Sequence, residues 1–434
     1  MQLSTALNLP NRQVSVGGFG YGTSLALDFT NGNQTLDPRI TFTRTTTATR
    51  TNESGLIESV AINGPRFDYS PTTLAPLGLL IEEQRTNLLT YSEQFDNAAW
   101  AKSNASIIAN TIIAPDGTLT GDKLIEDTSA GVQHRIGQSI ATTTNQAYAF
   151  SFYAKAGEEP SFVVQIVATG STSTTSSTAF NIVGEVISTS GVAGLISSSA
   201  AQAVGNGWYR CSVVYTLNGT VTDHQVRIFP RTVSTFTGNG YSGIYIWGAQ
   251  LEVGAFPTSY IPTVASQVTR AADNAVMTGT NFSSWYNAAE GSFFAEWIAG
   301  KDTIFINVFA TGTTTIGESM SVRRGSSGNM SLAITNSGVV QANISLITGE
   351  PIAETTYKNA VGYQVNNFAA ALNGVIAGTD ASGTVPLNIS TLVIGSGWNS
   401  TTGSSAAELL NGHIRKIAYY PRRLSNAELQ GITS

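Results

Sequence analysis

Cleaving a polysaccharide takes two carboxyl groups set on either side of the scissile bond, and this chain has only 28 Asp and Glu in 434 residues. The adjacent pairs Glu82/Glu83 and Glu158/Glu159 would send their side chains to opposite faces of a strand, so neither pair converges on one bond. Glu93/Asp96 and Glu126/Asp127 lie near predicted loops and would meet other acids only through folding. His134, His224 and His413 are far apart in sequence, and no HExxH pattern occurs. Cys211 is the single cysteine, which excludes an intrachain disulfide and a multi-Cys zinc site; within its alternating run it reads as a small core residue. There is no G-x-S-x-G elbow and no P-loop, and the glycines at 17, 18, 20 and 22 lead into no helix, so they read as a flexible arm. No catalytic residue and no metal ligand set is expected, and the chain reads as a non-enzyme.

Sugar binding needs less: an aromatic face to stack on a sugar, with a few convergent polar groups at its rim. Trp398 and Asn399 lie in the loop from Gly395 to Gly403, which has no apolar alternation to bury them. Trp100, following Asp96-Asn97-Ala98-Ala99, is a further candidate contact. Trp208 and Trp247 sit inside alternating runs and are expected to pack in a core.

The elements that must carry these residues are strands. Ala147–Ala154, Ser161–Val167 and His224–Phe229 alternate apolar and polar positions, and Gly/Asn/Ser/Asp clusters punctuate them at the spacing of sandwiches and barrels. The clearest helix signal is Ser425 with Glu428, a capping box near the C-terminal end of the sequence. Residues 170–178 are Ser/Thr-rich and read as a loop, with a polar strand edge as the alternative.

Charged residues make up 12% of the chain, with net charge −6; its 45 Ser and 54 Thr carry the polarity instead. That balance excludes a general nucleic-acid binder, which needs a basic face. Six lysines supply no polybasic membrane patch. No apolar run is long enough to span a membrane. The first residues lack the pattern of a secretory signal peptide, so none is expected.

The expected fold class is all-β: two consecutive β-sandwich (jelly-roll) domains preceded by an extended N-terminal attachment segment. Residues 1–85 hold six of the 16 arginines and too little core to stand alone, so they should pack on neighbouring subunits or a platform. Residues 86–262 form the first sandwich, 263–278 a linker, and 279–434 the second sandwich.

Three stretches carry resemblances. Thr86-Asn87-Leu88-Leu89, Phe150-Ser151-Phe152-Tyr153-Ala154, Gly207-Trp208-Tyr209-Arg210 and Ile246-Trp247-Gly248-Ala249-Gln250-Leu251-Glu252 resemble jelly-roll carbohydrate-binding modules. Some relatives in that group hold a structural calcium ion, for which Glu252 is the acid in question; no cluster of oxygen ligands accompanies it, and no cofactor is expected. Gly291–Trp297, Phe368–Gly374, Leu392–Ser396 and Leu410–Tyr420 resemble the laminin-G-like, concanavalin-A-like sandwich, with Leu372-Asn373-Gly374 as a hairpin turn and Ile414, Ile417 and Tyr419 as core. Leu36–Arg44, Gly55–Glu58, Pro65–Tyr69 and Gly78–Leu88 resemble the leader of tailed-phage head spike, head fibre and tail fibre proteins.

Together these resemblances imply a virion-surface adhesin made in the host cytoplasm. Its partners would be host cell-surface polysaccharide and other virion proteins, it would assemble as a homotrimer, and it would neither bind nucleic acid nor insert in a membrane. The alternative is a structural or decoration protein of capsid or tail; a polysaccharide depolymerase is the third reading.

Overall fold

The computed structural model describes residues 22–434 except 142, 144, 170–173, 193–194, 218–222, 234, 301–305, 313–316, 326–327 and 398–404. These residues are nearly all β, in antiparallel sheets, with short helices at Thr280–Ser283 and Asn426–Thr433. They divide into two compact units that interleave along the chain. A central unit takes Thr43–Pro76 and Glu82–Asp273. A terminal unit takes Leu77–Ile81, Asn274–Ser434 and the described part of Met1–Phe42.

The central unit is a sandwich of two six-stranded sheets. One orders its strands Ile196–Ala203, Tyr209–Thr216, Ala147–Ala156, Gly243–Val253, Gly121–Glu126 and Ala105–Ile112. The other runs Glu185–Gly191, Thr174–Asn181, Ser161–Thr169, Asp223–Phe229, Arg135–Ala141 and Ala101–Ser103. Period-two alternation is what makes these strands: Phe162, Val164 and Ile166 face the core, while Val163 and Gln165 face out. A run of rings, Phe150, Phe152, Phe162 and Phe180, passes through the core at centroid spacings of 5.6, 5.5 and 5.2 Å. Cys211 is buried there as a free thiol.

The first sheet is covered on its outer face as well. Tyr153, Trp208, Trp247 and Tyr260 form a second buried cluster there, with Ile57 of the Arg-rich leader packed against it. Trp208 and Trp247 are thus buried as expected, but beneath the leader rather than between the sheets. Thr49 ties the leader down by donating its hydroxyl to the Tyr260 carbonyl at 2.5 Å.

Buried charge completes the attachment. Arg66 donates to Glu82 at 2.6 Å and also pairs with Asp273; Arg44 reaches Asp273 at 3.0 Å, and Arg270 pairs with Glu82. The backbone N–H and hydroxyl of Ser259 donate to Glu82 at 2.8 and 2.7 Å. Burial by itself would push the Glu82 carboxyl up, but Arg270, Arg66 and Ser259 hold it far below the usual carboxylate range. Asn87 bonds the carbonyls of Ala249 and Ile261 at 3.1 and 2.8 Å. The leader-like residues that belong to the central unit, within Thr43–Pro76 and from Glu82 onward, are therefore a covering layer locked to that unit's own sandwich.

In the terminal unit, one sheet runs Val375–Asp380, Phe368–Leu372, Thr356–Gln364, Glu290–Ile298 and Gly412–Tyr420. Leu79–Ile81 and Leu25–Asp28 both pair with the last of these strands. The facing sheet includes Asn274–Thr278, Thr391–Ile394, Ile306–Gly312, Ser319–Arg324, Met330–Asn336 and Val339–Ile347. Asn373 and Gly374, at φ 46° and 81°, make the expected hairpin turn. Ile414, Ile417 and Tyr419 are buried as expected. The Ser425 hydroxyl accepts from Glu428 N at 3.3 Å while the Glu428 carboxylate accepts from Ser425 N at 2.7 Å, so the capping box forms.

Three expectations differ from what is seen among the described residues. The leader was expected to seek partners in neighbouring subunits, but its described residues pack within their own chain, where Leu25, Leu27, Leu79 and Ile81 are all buried. One sheet edge and one apolar sheet face are enough to supply the core it lacks. Residues 263–278, read as linker-like, hold the paired strands Val268–Arg270 and Asn274–Thr278, with Arg270 and Asp273 buried. From Thr174 onward the Ser/Thr-rich stretch is strand; residues 170–173 lie outside the described residues.

Candidate functional site: the open sheet face

Of the central unit's two sheets, the one containing Arg135–Ala141, Asp223–Phe229 and Ser161–Thr169 turns a polar face outward. Its inward positions, Ile136, Ile228, Val226, Val164 and Ile166, are sealed in the core. Every second residue therefore points the other way: Arg135, Gly137 and Ser139 on one strand, Gln225 and Arg227 on the next, then Val163 and Gln165, then Ser177. Register sets these side by side, since Arg227 lies between Gly137 and Gln165, and Gln165 pairs with Ser177.

The side chains form a ladder across four strands. Arg227 donates through Nε to Gln225 at 2.5 Å and through Nη1 to Gln165 at 3.1 Å. Gln165 donates onward to Ser177, and Gln225 to Ser139, each at 3.4 Å. Arg135 donates to Gln133 at 3.3 Å. Gly137 makes the layout possible. A Cβ there would stand 2.9 Å from the Val226 backbone carbonyl oxygen, 3.1 Å from Arg227 Cγ and 3.2 Å from Gln225 Cδ, against the neighbouring strand and in the space these side chains use to lie across it.

Both guanidiniums are half-buried, and burial lowers the pKa of each; the charge of Arg135 lowers that of Arg227 further. No carboxylate among the described residues offsets either charge. The acids on this face sit at its margins: Asp223 at the end of the Arg227 strand, and Glu185 on the edge strand, where it bonds Asn181. Other arginines of the unit do have carboxylate partners, as Arg231 has in Glu126 and Glu159 at 2.7 and 2.9 Å. Chemically the open face is a plane of donors and acceptors with two uncompensated cations, suited to holding a hydroxylated ligand without reacting with it.

The residues singled out from the sequence fall elsewhere. Trp398 and Asn399 lie outside the described residues. Trp100 is corrected: it is fully buried, its ring 4.8 Å from Phe95 and its Nε1 donating to the Tyr91 carbonyl at 3.0 Å. The short loop ahead of it folds the indole into the core, and neither ring face is left for a sugar.

Glu252 is buried, and its carboxylate accepts from Thr258 N at 2.9 Å and Thr258 Oγ1 at 2.5 Å. Among the described residues no group of three His, Cys, Asp or Glu is placed to hold a metal ion. The acidic pairs are engaged as well: Glu83 with Arg85, Glu158 with Lys123, Glu93 with Tyr260. No helix is long and apolar enough to cross a membrane among the described residues.

No family model and no curated protein matches the chain. Among solved structures it is similar to the CBM40 of the Ruminococcus gnavus IT-sialidase bound to α2,3 sialyllactose, at 14% identity over 34% of this chain and 84% of that one, with a TM-score of 0.29. It is also similar to the NanB sialidase from Streptococcus pneumoniae, at 12% identity, 36% of this chain, 26% of that one and TM-score 0.31. A third is the heptameric SAP-like pentraxin from Limulus polyphemus, at 17% identity, 34% of this chain, 70% of that one and TM-score 0.27.

Proposed function

We propose that this chain is a non-enzymatic glycan-binding protein that reads polysaccharide on the open sheet face of its central unit, and that it serves as a spike or fibre of a tailed-phage virion attaching to the host surface. The observation that carries the binding reading is the ladder Ser139–Gln225–Arg227–Gln165–Ser177, four strands wide and held in place by its own hydrogen bonds. Such an ordered polar plane meets sugar hydroxyls with little side-chain ordering left to do. The virion role rests on the leader resemblance, and three-fold assembly would multiply weak sites into avidity. Trp398 and Asn399 are proposed as a second contact.

Incubating the purified chain with host surface polysaccharide tests the reading. Retention of the polysaccharide without shortening is expected. Shortening would make the chain a depolymerase, and neither retention nor shortening would favour the structural or decoration role. A monomeric mass by light scattering at micromolar concentration would overturn the trimer.

A further inference from the structure

We infer that the ligand of the open face is an acidic saccharide, whose oxyanion is taken by Arg135 and Arg227; this rests on the glycan-binding reading above. Three observations converge on it. The two arginines are diagonal neighbours on adjacent strands, because Arg227 stands opposite Gly137 and Arg135 lies two residues from Gly137 on the same face. That geometry places their Cα atoms roughly 7–8 Å apart, with both side chains over one patch. Second, their donors are only partly spent. Among the described residues Arg227 uses Nε and Nη1, Arg135 uses Nε, and the remaining guanidinium N–H groups face solvent. Third, two half-buried like charges stand together in a chain of net charge −6, with no carboxylate among the described residues paired to either.

An anion on this patch relieves the repulsion between the guanidiniums and restores what burial removed. A carboxylate or sulfate presents two coplanar oxygens to the guanidinium fork, which a neutral hydroxyl cannot do. The amides of Gln225 and Gln165 and the hydroxyls of Ser139 and Ser177 flank the pair and suit the ring hydroxyls of the same sugar. The half-buried Val163 offers an apolar neighbour for a ring's C–H face. Carboxylated and sulfated sugars share this chemistry, and the measurement separates them.

The test titrates the intact chain with four probes: polygalacturonate, its carboxyl-reduced neutral counterpart, dextran sulfate and dextran. Binding to one acidic probe at least ten-fold tighter than to its neutral partner is expected, weakening as salt is raised. Arg227→Ala and Arg135→Ala should each lose ten-fold or more of that affinity, while Arg323→Ala, an exposed charge of the terminal unit, should lose none. Melting temperatures of the two site variants should hold or rise, since each removes an uncompensated charge; a clear fall would mark the arginines as structural. Equal binding of acidic and neutral probes would overturn the inference and leave the glycan reading standing. Binding to none of the four, together with no retention of host polysaccharide, would overturn both. Equal losses in Arg323→Ala would reduce the effect to general charge and overturn the site.

Discussion

Arg66 donates to Glu82 at 2.6 Å with the guanidinium closed off from water and the carboxylate nearly so. Both belong to the stretches that resemble a phage leader, and their meeting joins two leader segments to the body of the central unit. Removing one partner of such a pair leaves a buried charge unmatched, and the cost is about 3–5 kcal/mol. Glu82→Ala should therefore lower the melting temperature of the intact chain sharply. A shift of a degree or less would show that the leader is not fastened this way.

His224 carries a pH dependence with a definite sign. Its Nε2 lies 2.5 Å from the Tyr215 hydroxyl, its ring packs 5.2 Å from Tyr148, and burial lowers its pKa from 6.5 to about 4. A depressed folded-state pKa means the stabilisation is complete above pH 6.5 and is lost as pH falls from there toward 4. The loss reaches roughly 3 kcal/mol at most. Thermal melts between pH 4 and 7.5 should show this slope, and His224→Gln should flatten it. An unchanged slope in the variant would assign the effect to other groups.

Trp100→Ala should cost about 3–5 kcal/mol of stability, the range for emptying a large buried site. Polysaccharide affinity of the folded fraction should stay as it is. A loss of affinity at unchanged melting temperature would return the indole to the binding surface.

Gly137→Val tests whether the ladder depends on the gap beneath it. Valine suits a strand, but its side chain needs the space over which Arg227 and Gln225 lie. Polysaccharide retention by the folded fraction should fall at least ten-fold, and the melting temperature should fall as well, because the new Cβ would also press on the Val226 carbonyl oxygen, 2.9 Å away. Undiminished retention would mean that the position of these side chains does not matter to binding.

What the sequence determined by itself was local. Alternation in Ser161–Val167 and His224–Phe229 sufficed for strands, Asn373-Gly374 for a turn that requires positive φ, and Ser425 with Glu428 for a capped helix, because each depends on residues a few positions apart. The burial of Cys211 between the sheets followed from the same periodicity, whereas that of Trp208 and Trp247 depends on the leader that covers them. Alternation also says that Gln225 and Arg227 share a face.

It does not say which strand lies beside theirs. Arg135, Gln165 and Arg227 are separated by tens of residues, and only sheet order and register make them neighbours. Tertiary structure likewise decided that Trp100 turns inward, although its loop looked exposed. It also decided that the Arg-rich leader covers its own chain: the matching carboxylate of Asp273 is more than 200 residues from Arg66 and Arg44, and a buried charge is tolerable only where the fold delivers its partner.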